Sequence, residues 1–395
     1  MKIGILGGGQ LGRMLWEASC KLRGDLDPSP VYHDMLSCPA GIAGATITPG
    51  KIIEVEKLTE FFNGVDSFAI ENEFLHVESI ETAWRDSRAG KTSDLPTPSQ
   101  KGLRIAQDKL EQKKFFLSLG LPTSEYIEIT PGFLETPEKL SELHHEWDGF
   151  VIKKARMGYD GKGNYAVHPD SVLNFAEARQ FCQAAFESQS RVYVERFVPF
   201  TKEVALVSCR TVDGDYGHYP LIETVQKNGV CFLAFKALNQ ARNEKRAMGM
   251  ARTIGEKLGM LGTYAVEFFI TATGDLLVNE MAPRVHNSGH FTQAAAKSSQ
   301  FEMHLKAYWQ KAWDPADFEC APAFAMVNFL GPADAKGPVQ RPNHPQIYWY
   351  DKETTSPGRK LGHMIVQGTS EHDLPELLDE LIQVERAWQE SLRAP

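Results

Sequence analysis

Apolar residues recur along the chain in short runs separated by longer amphipathic stretches, the pattern of an α/β protein. Residues 2–6 form one such run, which enters Gly7-Gly8-Gly9-Gln10-Leu11-Gly12, and 13–22 then takes helical spacing. Further runs at 31–33 and 67–70 continue an alternation that predicts an open parallel sheet. Residues 91–99, KTSDLPTPS, carry prolines and little that is apolar, which closes a first domain over 1–99. A helix is predicted over 100–119, ended by Gly120-Leu121-Pro122. Strands at 150–154, 192–198 and 203–209 and helices at 171–187, 239–258 and 374–392 fill a second unit over 100–190 and a third over 191–395.

The most informative stretch is 262–290. Residues 264–270 and 276–281 are apolar, β-branched and aromatic on either side of Thr273-Gly274, so a tight hairpin is predicted. A two-residue turn there sets Glu267 directly opposite Glu280 within an otherwise apolar sheet. Like charges facing across strands are destabilising, and burying them unpaired costs several kcal/mol more. A hard cation between them, Mg²⁺ held by carboxylates and substrate phosphates, removes the conflict. The competing reading sends one carboxylate to solvent or to Arg284.

Composition narrows the class. The chain has 395 residues, 42% hydrophobic and 24% charged, ordinary for a globular protein of two or three packed units. A net charge of −9 offers no general attraction to nucleic acid or an anionic membrane, so any phosphate site must be local. Without a long apolar segment or a signal-peptide pattern, a cytoplasmic protein is expected. The 6 cysteines show no CxxC spacing and read as buried thiols rather than a zinc site or disulfide framework.

Several motifs carry chemistry. Gly7, Gly9 and Gly12 satisfy GxGxxG between a strand and a helix, with Asp34 near the offset of a ribose-binding acid, so a dinucleotide domain is one reading and any phosphate-bearing ligand another. Glu71-Asn72-Glu73 lies at the carboxyl end of a predicted strand, where open α/β sheets bind ligands. Arg156 to Gly163 is a glycine-rich loop with two basic residues between strands, and Lys153, inside the preceding strand, needs an anionic partner. The 192–198 strand breaks at Pro199, which exposes backbone groups able to read an adenine edge, with Glu203 near enough to hold ribose hydroxyls. Arg284, His286, Asn287, Ser288 and His290 crowd the loop after the hairpin. Lys352, Arg359 and Lys360 gather around a Pro-Gly turn, compatible with a phosphate clamp.

Together, GGGQLGRM at 7–14, IENE at 70–73, IAQDKL at 105–110, GYDGKG at 158–163, VPF at 198–200, NEMAPRVHNSGH at 279–290 and PGRKLGH at 357–363 resemble the ATP-grasp superfamily. Within it they resemble the 5-(carboxyamino)imidazole ribonucleotide synthetase family, nearly end to end. The resemblance implies ATP-grasp architecture: an N-terminal Rossmann-like domain, a small α+β lid and a larger C-terminal α+β domain. It implies ATP and bicarbonate-dependent carboxylation of aminoimidazole ribonucleotide through carboxyphosphate, with Mg²⁺. Adenine and ribose would meet Glu195, Arg196, Phe197, Val198 and Glu203, with Gln226 nearby. The triphosphate would meet Lys109, Lys153, Gly158, Tyr159, Asp160, Gly161, Lys162, Gly163 and Asn164, with Mg²⁺ on Glu267 and Glu280 beside Asn279.

The acceptor nucleotide would lie among Gly8, Gln10, Leu11, Glu71, His286, Asn287, Ser288, Lys352, Arg359 and Lys360. Tyr159, Asp160, Lys162 and Arg284 are the catalytic expectations, the first three closing over bicarbonate to protect an intermediate that water destroys. A homodimer and a transient contact with the mutase acting next are also implied. This chain departs from the family pattern at Gln226, usually histidine, at Ala155, usually arginine, and in a longer 352–357 segment. The alternatives are another ATP-grasp carboxylate–amine ligase, an NAD-dependent oxidoreductase and a non-catalytic nucleotide-binding subunit.

Overall fold

The computed structural model describes residues 1–91, 100–136, 138–156, 163–169, 174–333 and 339–392. Near the N-terminus, Ile47–Pro49, Val31–His33, Ile3–Leu6 and Ser67–Ile70 form a parallel sheet in that order. Every residue of Ile3–Leu6 is buried, as a parallel strand covered on both faces should be. Helix Gln10–Lys21 leaves the sheet directly after the glycine turn and packs Met14, Leu15 and Ala18 inward.

A second, antiparallel sheet runs in the order Tyr126–Ile129, Val192–Arg196, Phe150–Lys154, Asn164–Val167. Val192–Arg196, which the sequence reading puts at the start of the third unit, is an interior strand of this second sheet. Its pairing partners are distant in sequence, which local pattern cannot reveal. The predicted helix over 100–119 is two helices, Gln100–Ala106 and Lys109–Ser118. Asp108 breaks it by accepting from the backbone N–H of Leu110 and Glu111, an N-cap that competes with helix continuation.

The third sheet has nine strands. Its path runs Leu276–Ala282, Gly262–Thr271, Phe200–Arg210, Ile222–Lys227, Val230–Lys236, Ala323–Leu330, Lys360–Gly368, Ile347–Trp349, with Tyr216–His218 beside Phe200–Arg210. Helix Ala241–Leu258 covers one end, burying Ala247, Ala251, Ile254 and Leu258 against Leu206, Tyr264 and Val266. Helix Leu374–Ser391 covers the other through Leu381 and Trp388.

The hairpin of Gly262–Thr271 and Leu276–Ala282 reaches the predicted Glu267↔Glu280 pairing by a different route. Its turn has three residues rather than two, closed by Gly274 N to Thr271 O and Thr271 N to Asp275 O, with Gly274 at φ +79, which favours glycine. That longer turn alone would misalign the glutamates by one residue. A bulge restores them: Phe268 pairs with Val278 and Glu267 with Glu280, leaving Asn279 as the extra residue. Without the bulge, Val278 and Glu280 would share a face. With it, Leu276, Val278 and Met281 enter the core while Asn279 and Glu280 face the cleft.

Leu276–Ala282 is an edge strand, and its outer backbone groups are occupied. Val278 N donates to Pro122 O at 2.7 Å and Val278 O accepts from Thr123 Oγ1 at 2.7 Å. Met281 N donates to Gln112 Oε1 at 2.8 Å, and Gln112 Nε2 returns a bond to Met281 O at 3.3 Å.

Candidate active site

The cleft side of the hairpin carries Glu267 and Glu280, about a third exposed at 29% and 34% of their side chains. Lys109, first residue of its helix, reaches Glu280 at 2.6 Å. Burial would lower the lysine's affinity for its proton, but Glu280 and Glu267 outweigh it and hold Lys109 firmly charged. Glu280 is held below the ordinary carboxylate range because Lys109 overcomes its burial. Glu267 is pushed above that range by burial, by Glu280 and by Glu203, and His286 Nε2 lies 3.5 Å from it. One glutamate is neutralised and the other is left against it, so the pair is short of positive charge. Two carboxylates with an amide oxygen beside them fit a cation that draws its remaining ligands from substrate and water. No cluster of three or more acidic, histidine or cysteine ligands that could hold a metal by itself occurs among the described residues.

Lys153 has the anionic partner its position in a strand demands: Glu195 Oε2, at 2.5 Å. Glu195 is itself 3% exposed and also binds Lys113 Nζ through Oε1 at 2.6 Å. Burial favours the neutral acid, yet the two lysines dominate and keep Glu195 ionised well below the usual range. Lys113 escapes sequence reading because a lysine next to Lys114 in a helix resembles a solvent-facing pair; spacing of four from Lys109 is the signal that both share a face. Arg196 and Phe197 correct the expected open edge, because their backbone N–H groups donate to Glu125 O and Gly149 O. The next carbonyl, that of Val198, accepts from Phe200 N at 2.8 Å, and the Arg196 side chain turns to Glu125 at 2.9 Å. Glu203 accepts from Gln226, and burial raises its pKa despite that bond. Gly163 and Asn164 follow the glycine-rich loop, with Asn164 paired to Lys153. Gly158, Tyr159, Asp160, Gly161 and Lys162 lie outside the described residues.

Across the cleft, the glycine turn receives a side chain of this protein. Glu71 Oε2 accepts from Gly12 N at 2.8 Å and the carboxylate also accepts from Gly9 N. A Cβ on Gly7 would lie 2.8 Å from Glu71 Cβ, one on Gly12 would lie 2.6 Å from Oε2, and one on Gly9 would overlap Oε1. Two of the donors that a dinucleotide pyrophosphate could use at the start of helix Gln10–Lys21, the Gly9 and Gly12 N–H groups, are thus already bonded, which weakens the dinucleotide reading of the motif. Gln10 Oε1 and the Lys360 carbonyl both accept from Lys352 Nζ at 2.6 Å, and Leu11 packs into the domain core. Arg359 donates to Thr354 O and Oγ1, bracing the segment before the Pro-Gly turn.

Arg284 goes to Glu73, which it grips through Nε at 2.5 Å and Nη2 at 3.2 Å. Glu73 was legible only as part of IENE. His286 Nδ1 lies 2.9 Å from Ser288 Oγ, while the Asn287 and Asn328 side chains exchange reciprocal bonds at 3.0 and 2.8 Å. Asn328, on a distant strand, gave no local signal.

Comparison with known proteins bears on this geometry. Residues 1–107 match the ribonucleotide synthetase preATP-grasp domain, 114–301 the ATP-grasp domain, and 325–376 the phosphoribosylaminoimidazole carboxylase C-terminal domain. The N5-carboxyaminoimidazole ribonucleotide synthase of Saccharolobus solfataricus is 30% identical, over 97% of this chain and 95% of that protein. The phosphoribosylaminoimidazole carboxylase of Ogataea methanolica is also 30% identical, but the chain spans only 67% of its length. Among solved structures, the N5-carboxyaminoimidazole synthase of Aspergillus clavatus, in complex with ADP and 5-aminoimidazole ribonucleotide, superposes with a TM-score of 0.80 at 25% identity, covering 98% of each chain.

Proposed function

The chain belongs to the N5-carboxyaminoimidazole ribonucleotide synthase family of ATP-grasp enzymes, and from that membership we propose that it uses ATP and bicarbonate to carboxylate the exocyclic amine of 5-aminoimidazole ribonucleotide in purine biosynthesis. The observation that carries the reading is the approach of His286 to Glu267 at 3.5 Å, because it joins the loop facing the acceptor to the strand facing the phosphates. Two substrates bound on either side would meet there.

Bicarbonate is a poor electrophile, and phosphorylation to carboxyphosphate makes it reactive. Phosphoryl transfer is governed by positioning and charge, so Lys109 and Lys153 hold the phosphates while Val198 and Glu203 hold adenine and ribose. Glu267, Glu280 and Asn279 would hold Mg²⁺, which supplies positive charge to the transferring oxygens. Lys352, Arg359 and Lys360 take the acceptor phosphate, while the glycine turn, Glu71 and 286–288 orient its ribose and imidazole. Arg284, held by Glu73, is assigned to the reacting centre, and Tyr159, Asp160 and Lys162 are assigned to exclude water from the activated intermediate.

No described helix is long and apolar enough to cross a membrane. Water-soluble, charged substrates support action in the cytoplasm, the labile carbamate product supports a transient contact with the mutase that acts next, and a homodimer rests on the family resemblance alone. The test is ADP release with and without aminoimidazole ribonucleotide and bicarbonate. Release and carboxylated product that require all three substrates support the proposal; ADP release indifferent to the ribonucleotide defeats it.

A further inference from the structure

We propose that Lys113 is a positioning residue for ATP: a permanent counter-ion of Glu195 that allows Lys153 to leave Glu195 for a phosphate of the nucleotide. The inference rests on the ATP-dependent reading above. Its basis is the unequal placement of two lysines on one carboxylate. The Lys113 side chain is 2% exposed and that of Lys153 is 15% exposed, so only Lys153 has access to the cleft. Lys113 Nζ spends its donors on Glu195 Oε1 at 2.6 Å, Thr123 Oγ1 at 2.9 Å and Ser124 Oγ at 2.8 Å. Ser124 also bonds Glu195 Oε1. Lys153 is held by the other oxygen, Oε2, which makes no well-directed hydrogen bond.

The charges explain why both lysines are needed. With ATP absent, two lysines share one buried carboxylate. Burial and Lys153 lower the affinity of Lys113 for its proton while Glu195 opposes them, so a second cation on Glu195 is crowded and Lys153, on the cleft side, is the one able to leave. When Lys153 turns to a phosphate, Glu195 keeps Lys113 and Ser124 and is not stranded. Remove Lys113, and the same movement would leave a buried, unpaired carboxylate, which is strongly unfavourable. Lys153 would then be locked to Glu195. Thr123 extends the arrangement, because its hydroxyl accepts from Lys113 and donates to Val278 O on the strand of Glu280.

Calorimetric titration of Mg·ATP into the full chain tests this. Lys113→Met should weaken ATP binding by about 10-fold or more, the scale of one lost charge-assisted contact. Adding Glu195→Gln should return the affinity to within about 3-fold of the parent, because a neutral amide no longer captures Lys153. The KM for aminoimidazole ribonucleotide should stay at the parent value in both. A merely structural lysine would lower the melting temperature without this split or rescue. Should Lys113→Met not fold, Thr123→Val, which removes one support of Lys113, should weaken ATP in the same direction by a smaller factor. Unchanged ATP affinity in folded Lys113→Met or in Thr123→Val, or a double variant no better than Lys113→Met, overturns the inference. A parent that does not bind ATP overturns the proposed function with it, whereas a parent that binds ATP no better than Lys113→Met overturns this inference alone.

Discussion

Glu71 fills the glycine turn at Gly9: its carboxylate accepts the Gly9 N–H and occupies the space a Cβ on that residue would need. Gly9 has φ −71, open to any residue, so contact rather than backbone conformation demands glycine here. Gly9→Ala should destabilise the parent by about 1–3 kcal/mol, the usual range for overpacking. In a Glu71→Ala background the same change should cost less than about 0.5 kcal/mol. Denaturant titration of the four proteins measures the coupling; equal costs in both backgrounds would show that Gly9 serves something other than Glu71.

Glu267→Gln and Glu280→Gln should each lower ATP turnover by at least ~100-fold while leaving the fold intact, since each removes a charge from the site that organises the phosphates. Steady-state ADP release at saturating ATP, beside circular dichroism, checks both parts. Near-normal turnover in either variant refutes the metal assignment.

Acidity gives a separate handle on the pair. Glu267 is raised in the folded protein by burial, Glu280 and Glu203. For an acid with a raised folded pKa, the folded state binds more protons than the unfolded chain once pH exceeds the ordinary carboxylate range. Stability therefore falls as pH rises from that range through the raised folded value. In chelator, Glu267→Gln should remove this slope, so its advantage over the parent should grow from acidic to mildly alkaline pH. Parallel urea midpoints for the two proteins across that interval would contradict it.

Lys360→Ala should raise the KM for aminoimidazole ribonucleotide by roughly 10-fold or more while that for ATP changes little, because the lost charge belongs to one substrate. Initial rates with each substrate varied in turn make the comparison. A larger effect on ATP would move Lys360 to the other side of the cleft.

The Glu267–Glu280 pairing was legible because turn chemistry and alternation locate opposing residues, yet the route to it was not. A two-residue turn and a three-residue turn with a bulge give the same pairing at that one position. The distinguishing signal was present in Leu276, Val278 and Met281, where core spacing changes from two to three. Lys153 advertised its need for an anion, but Glu195 could not be identified as that anion, since strand pairing between 150–154 and 192–196 is a long-range outcome of folding. GxGxxG was visible, whereas its occupant was not: phosphate and carboxylate use the same N–H donors, and only three-dimensional placement distinguishes them.

The bonds on the outer side of Leu276–Ala282 have a consequence for behaviour in concentrated solution. An edge strand with unpaired amides is a template on which another chain can add a strand. Here Pro122, Thr123 and Gln112 occupy the outward groups of Val278 and Met281, so the strand that bears Glu280 is closed to such recruitment. Gln112 thereby guards against self-association as well as attaching a helix. Its replacement by an apolar residue would leave the Met281 N–H and C=O without that partner and open this point of the edge to a strand from another chain.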